Sequence, residues 1–144
     1  MTTKGKILIV EDDPDALIYL SALLEDNDYE TLTAPNGDAG LKKARETQPD
    51  LILLDLMMPE KSGMWFLNEI KQDSALKDIP IIVESGASKV TGFDMKDYLE
   101  KQPFKERKKE ALGKDIDTTP DAYLDKPVNE EQLLETVKKL IRKR

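Results

Sequence analysis

The chain has 144 residues, 39% of them hydrophobic, and a formal net charge of −7, which suits one ordinary core and is too short for two typical domains. It contains no cysteine and no histidine, which excludes disulfides, thiolate or imidazole metal sites and the usual general base, so any chemistry must run on oxygen ligands. No apolar run approaches the roughly 20 residues of a membrane span, and residues 1–6 lack the apolar stretch of a secretory leader, so a cytoplasmic protein without membrane contact is expected.

In chain order, Lys6-Ile-Leu-Ile-Val10 is a short β-rich apolar run and predicts a first strand. Asp13 as N-cap and Pro14 at the first helical position open a helix whose apolar face carries Leu17, Leu20, Leu23 and Leu24. A weaker strand is expected at 29–33, and Asn36 opens a second helix. Leu51-Ile-Leu-Leu54 predicts the next strand; Ser62 opens a third helix with Trp65, Phe66 and Ile70 as core residues rather than a cofactor pocket. Pro80-Ile-Ile-Val83 is a further strand and 122–124 a last, weak one. The final helix is capped by Asn129, has Glu130 and Glu131 in its first turn, repeats Leu133, Leu134, Val137, Leu140 and Ile141 at helical spacing, and ends in basic residues that favour its negative pole.

Strands alternating with helices are the signature of βαβ units, and continuous apolar strands imply a sheet covered on both faces. The fold class is therefore α/β, a doubly wound parallel sheet of five strands forming a single domain over residues 1–144. Residues 88–120 break the rhythm, because one crossover does not need so long a connection. They predict a helical insertion between strands 4 and 5, with pieces at 94–101 and 103–112 separated by Pro103 and stopped by Gly113. The basic and acidic side chains of 105–110 interleave there as on a solvated helix face.

In open parallel sheets ligands bind beyond the carboxyl ends of the strands. The first strand ends in Glu11-Asp12-Asp13 and the third in Asp55, so neighbouring strands would crowd carboxylates into one small volume. Residues 1–87 hold 8 basic and 17 acidic side chains against 14 and 12 in residues 88–144. That balance argues against nucleic acid as a partner and for a cation-attracting site. Like charges at close range need a compensating cation, and oxygen-only donors suit Mg²⁺. A carboxylate nucleophile beside a metal and a lysine serves phosphoryl transfer. Asp13 is explained by its capping role and is not assigned to the site.

These residues resemble the response-regulator receiver domains of two-component signalling. Ile7-Leu-Ile-Val-Glu-Asp-Asp-Pro14 is similar to the acidic-pair segment after the first strand, and residues 50–63, Asp-Leu-Ile-Leu-Leu-Asp-Leu-Met-Met-Pro-Glu-Lys-Ser-Gly, to the phosphoacceptor strand and its turn. Ile79-Pro-Ile-Ile-Val-Glu-Ser85 is similar to the strand ending in a hydroxyl residue, and Asp121-Ala-Tyr-Leu-Asp-Lys-Pro127 to the segment with the switch aromatic and the paired lysine. The resemblance implies a flavodoxin-like strand order 2-1-3-4-5. It makes Asp55 the phosphoacceptor, Asp12 a metal ligand, Glu11 a ligand directly or through water, and Met57 the donor of a backbone carbonyl to Mg²⁺. Ser85 and Lys126 would meet phosphoryl oxygens, and Lys126-Pro127 would be a cis peptide. Tyr123 reads either as a rotating switch or as fixed core packing. The implied partners are a histidine kinase or phosphotransfer protein and a downstream protein.

The chain departs from the family in the long gap between Ser85 and Tyr123, in Gly86 after the hydroxyl residue, and in Asp121 before the switch segment. Residues 88–120, with Phe93, Tyr98, Leu99, Phe104 and Leu112 among many charges, are expected to remodel the partner-binding face. The leading reading is a stand-alone receiver with no output domain after Arg144, a self-phosphorylating switch rather than a metabolic enzyme. Its rivals are a pseudo-receiver that is never phosphorylated and a Mg²⁺-dependent phosphohydrolase. The intact Asp12, Asp55, Ser85 and Lys126 set disfavours the first, and the absence of a second acid or base close after Asp55 disfavours the other.

Overall fold

Five short strands pair side by side, all parallel, in the order β2-β1-β3-β4-β5. The computed structural model describes residues 3–56, 63–85 and 120–142. The strands are β1 (Lys6–Val10), β2 (Glu30–Ala34), β3 (Leu51–Asp55), β4 (Ile81–Ser85) and β5 (Ala122–Asp125). The described helices are α1 (Pro14–Asp26), α2 (Gly37–Thr47), α3 (Gly63–Gln72) and, after β5, α4 (Glu130–Arg142). The expected helices at 94–101 and 103–112, the Ser62 cap and Met57 lie outside the described residues.

The strands β1, β3 and β4 read as unbroken apolar runs because each packs a core on both faces. Successive side chains point to opposite faces of a strand. Leu8, Val10, Ile52, Leu54, Ile81 and Val83 therefore join Leu41, Phe66, Leu67 and Ile70 from α2 and α3 in one core. Ile7, Ile9, Leu51, Leu53 and Ile82 join Leu20 and Leu24 of α1 and Leu133 and Val137 of α4 in the other.

The caps are as expected. The Asp13 side chain accepts the Asp15 amide at 3.0 Å, Asn36 that of Ala39 at 2.9 Å, and Asn129 that of Gln132 at 2.9 Å. Strand bounds shift slightly. β2 starts one residue later than expected, and β3 and β5 each run one residue further, to Asp55 and Asp125. β4 begins at Ile81 and continues two residues past Val83, through Glu84 to Ser85. Pro80 has no amide to donate, yet its carbonyl still accepts from Ile52 at 2.9 Å. Apolarity fades before backbone pairing does: the Leu56 amide bonds the Glu84 carbonyl at 3.1 Å.

Two local devices fix the elements around the carboxyl edge. Asp121 accepts the Ile81 amide at 2.8 Å and pairs with Lys71 at 3.9 Å, tying the approach to β5 to the start of β4 and to α3. Gly63 lets α3 begin directly against the end of β3, since a β-carbon there would sit 2.5 Å from Leu56 Cα and 2.7 Å from the Asp55 carbonyl oxygen.

Candidate functional site

The chain leaves β1 for β2 on one side of the sheet and returns to β3 on the other, so the strand order reverses between β1 and β3. Their registered ends, Val10 and Leu54, lead directly into Glu11 and Asp55. The same alternation that sends Ile7 and Ile9 to the α1 and α4 face sends Glu11 there. Asp55 ends the row of Leu51 and Leu53, and Glu84 follows Ile82. Three adjacent apolar rows thus finish in three carboxylates.

Glu11 is fully buried, Asp55 is 3% exposed, and Asp12 stands open to solvent. One carboxylate oxygen from each of the three lies within 4.8 Å of the others. Lys126, just beyond β5, reaches over this cluster, its Nζ 3.0 Å from Glu11 Oε1 and 3.5 Å from Asp55 Oδ1. The second Glu11 oxygen accepts the Asp12 amide at 3.0 Å, which orients both acidic residues. Ser85 is buried at the end of β4, and its carbonyl accepts the Lys126 amide at 3.1 Å, so the backbone couples the hydroxyl residue to the lysine. The Lys126-Pro127 peptide is cis. Tyr123 is half-buried on β5 and packs against the core shared with Val83.

The electrostatics follow from burial. Desolvation, and after it the adjoining Asp55 carboxylate, push the Glu11 carboxyl up to about 8, against the pull of Lys126. Burial lowers Lys126, but its hydrogen bond to Glu11 and the charges of Asp55, Glu11 and Glu84 outweigh that and leave its pKa raised. Burial also raises Glu84, with Lys126 drawing it down and Asp55 pushing it up. A volume with this much uncompensated acidity is built to receive positive charge. The donors fit a hard dication: all are oxygens, three converge, and the exposed Asp12 leaves a hydrated side.

Asp55, Asp12, Glu11 and Lys126, singled out from the sequence, are brought together; Ser85 and Tyr123 sit on the two neighbouring strands; Met57 lies outside the described residues. Glu84 escaped sequence reasoning, because the apolar run was taken to end at Val83. The signal was a lone acidic residue between Val83 and the hydroxyl residue of a strand that is otherwise buried.

A doubly wound sheet of this order, with an acidic cluster and a lysine at its switch point, defines the response-regulator class of signalling domains. Residues 7–112 match the family described as response regulator receiver domain. The chain is 31% identical over 133 residues to the protein PilH of Pseudomonas aeruginosa, covering 92% of this chain and 94% of that one. It is 34% identical over 132 residues to the polar-differentiation response regulator DivK of Brucella anthropi, covering 92% of each. Among solved structures it resembles the chemotaxis response regulator CheY4 of Vibrio cholerae, with 28% identity, a TM-score of 0.68 and coverage of 97% and 99%. The chain belongs to the response regulator receiver domain family of two-component signalling. The family match stops short of β5, so Tyr123 is placed by its pairing with Val83 and Lys126 by the bond from its amide to the Ser85 carbonyl. Among the described residues no helix is long and apolar enough to cross a membrane.

Proposed function

We propose that residues 1–144 form one cytoplasmic receiver domain in which Asp55 accepts a phosphoryl group from a histidine kinase or phosphotransfer protein, with Mg²⁺ as cofactor. The single observation that carries this reading is the convergence of Glu11, Asp12 and Asp55 within 4.8 Å beneath an ammonium that touches two of them. Asp12 and Asp55 would hold the cation, Glu11 directly or through water, and by the family resemblance the Met57 carbonyl would complete the protein's share. When bound, Mg²⁺ neutralises charge on the transferring oxygens and orients them.

The chain's own groups do the rest. An Asp55 carboxylate oxygen attacks phosphorus, the bond from phosphorus to the donor imidazole breaks, and the imidazole leaves and takes up a proton from solvent. Lys126 meets one phosphoryl oxygen and the Ser85 hydroxyl donates to another. Drawing Ser85 toward the phosphoryl group frees space that Tyr123, on the paired strand, turns into, and the altered β4–β5 surface changes which protein binds.

Incubation with Mg²⁺ and acetyl phosphate, followed by intact-mass measurement, tests this reading. A phosphoryl adduct on the wild type that is absent in Asp55→Ala and in chelator supports it. No adduct, with or without Mg²⁺, refutes it in favour of a non-phosphorylated interaction module.

A further inference from the structure

Glu84 is the buried carboxyl of this site that the chemistry above leaves unused. It faces Asp55 across the β3–β4 register, is 1% exposed, and its Oε2 has no hydrogen-bond partner. A carboxyl in such a place is costly unless a charge is there to meet it. Of the groups that act on it, Lys126 favours its anion most, a hydrogen bond with Glu11 favours it less, and Asp55 opposes it; Lys126 alone among them brings a positive charge.

Lys126 has a corresponding need. Its ammonium rests on Glu11 Oε1 and Asp55 Oδ1, at 3.0 and 3.5 Å. Both residues are assigned above to a dication. Once their oxygens are so committed, the ammonium can keep neither contact in full, because like charges at contact distance repel strongly in a partly desolvated site. A third of the Lys126 side chain is already exposed, so the way to solvent is open.

We propose that Glu84 is a positioning residue for Lys126: it receives the ammonium that Glu11 and Asp55 release and keeps it buried beside Asp55. The β4–β5 pairing puts the two on one face of the sheet, since Glu84 is registered with Leu124 and Lys126 follows two residues after Leu124 in the same alternation. The inference rests on the reading of Glu11 and Asp55 as cation ligands.

The test compares wild type, Glu84→Gln and Glu84→Asp, and repeats Glu84→Gln in a Lys126→Met background. Mg²⁺ affinity is measured by titration calorimetry, and the Lys126 ammonium is followed by ¹⁵N NMR, its signal assigned by its loss in Lys126→Met. Glu84→Gln is expected to weaken Mg²⁺ binding roughly tenfold or more, the worth of one hydrogen bond to a charged group. Glu84→Asp should restore most of this. In Lys126→Met the same change should have little effect, since the two residues act as a unit. With saturating Mg²⁺ the ammonium signal should persist in wild type and vanish into solvent exchange in Glu84→Gln. An equal loss of affinity in both backgrounds, or unchanged affinity with the ammonium signal retained in Glu84→Gln, overturns the inference alone. Wild type that binds no Mg²⁺ overturns it together with the cation-site reading.

Discussion

The pH dependence of stability offers the most direct probe of the crowded carboxylates. Glu11 rises from an ordinary value of 4.5 to about 8 in the folded protein, chiefly through burial and the neighbouring Asp55. At ~1.4 kcal/mol per unit this corresponds to a few kcal/mol of differential proton affinity. The sign is set by linkage: a carboxyl whose folded pKa is raised binds its proton more tightly in the native state. Its contribution is full below the unfolded value and is lost as pH climbs through the folded one. Metal-free protein should therefore lose a few kcal/mol of stability between pH 5 and 8.

The window is clean, because the chain has no histidine to titrate in it. The raised Glu84 carboxyl contributes with the same sign. Urea melts in chelator at pH 5, 6.5 and 8 should show the decline in wild type and a much flatter profile in Glu11→Gln. Saturating Mg²⁺ should reverse the wild-type slope, since a cation that needs deprotonated ligands binds better as pH rises. Parallel stability profiles for wild type and Glu11→Gln across this range would refute the argument.

Two further substitutions test the scaffold. Phe66, fully buried in the core under α2 and α3, should cost about 3–5 kcal/mol when cut to alanine, and a loss under ~1 kcal/mol in chemical denaturation would contradict its place there. Gly63→Ala sets a β-carbon 2.5 Å from Leu56 Cα, against backbone that has no rotamer to yield. It should cost roughly 1–3 kcal/mol and slow adduct formation on Asp55 by shifting the start of α3, and a variant as stable and as quickly phosphorylated as wild type would contradict this.

The strands and caps were legible because each had a local physical cause. Asp13, Asn36 and Asn129 precede helical periodicity and their side chains cap it, and the apolar runs of β1 and β3 had to be covered on both faces. The convergence of Glu11 and Asp55 was legible only on the supposition that β1 and β3 are neighbours, which is a long-range fact no window of sequence contains. The resemblance put Lys126 at the site to meet a phosphoryl oxygen, but its contact with Glu11, across 115 residues, was not legible in the sequence. Glu84 was lost for a different reason. Hydrophobicity marks where a strand is buried, whereas the ladder that defines its end is made by backbone groups, and those pair whatever side chain they carry.

That last distinction also explains how the site is built. A strand buried on both faces can end its inward row in a carboxylate only where the sheet edge meets solvent or an opposite charge. Here three such rows, on β1, β3 and β4, end side by side, and a single ammonium from beyond β5 answers them. Burial and the adjoining Asp55 raise the affinity of Glu11 for a proton, so a cation that binds there competes with that proton. A dication that claimed the Glu11 and Asp55 oxygens would leave the Lys126 ammonium in need of a new counter-charge. The remaining buried carboxylate, Glu84, sits on the strand that ends in Ser85 and is hydrogen-bonded to the Lys126 segment. On the proposed reading, filling the acidic cluster would be transmitted through a change of partner by Lys126 to the β4–β5 edge, where Tyr123 lies.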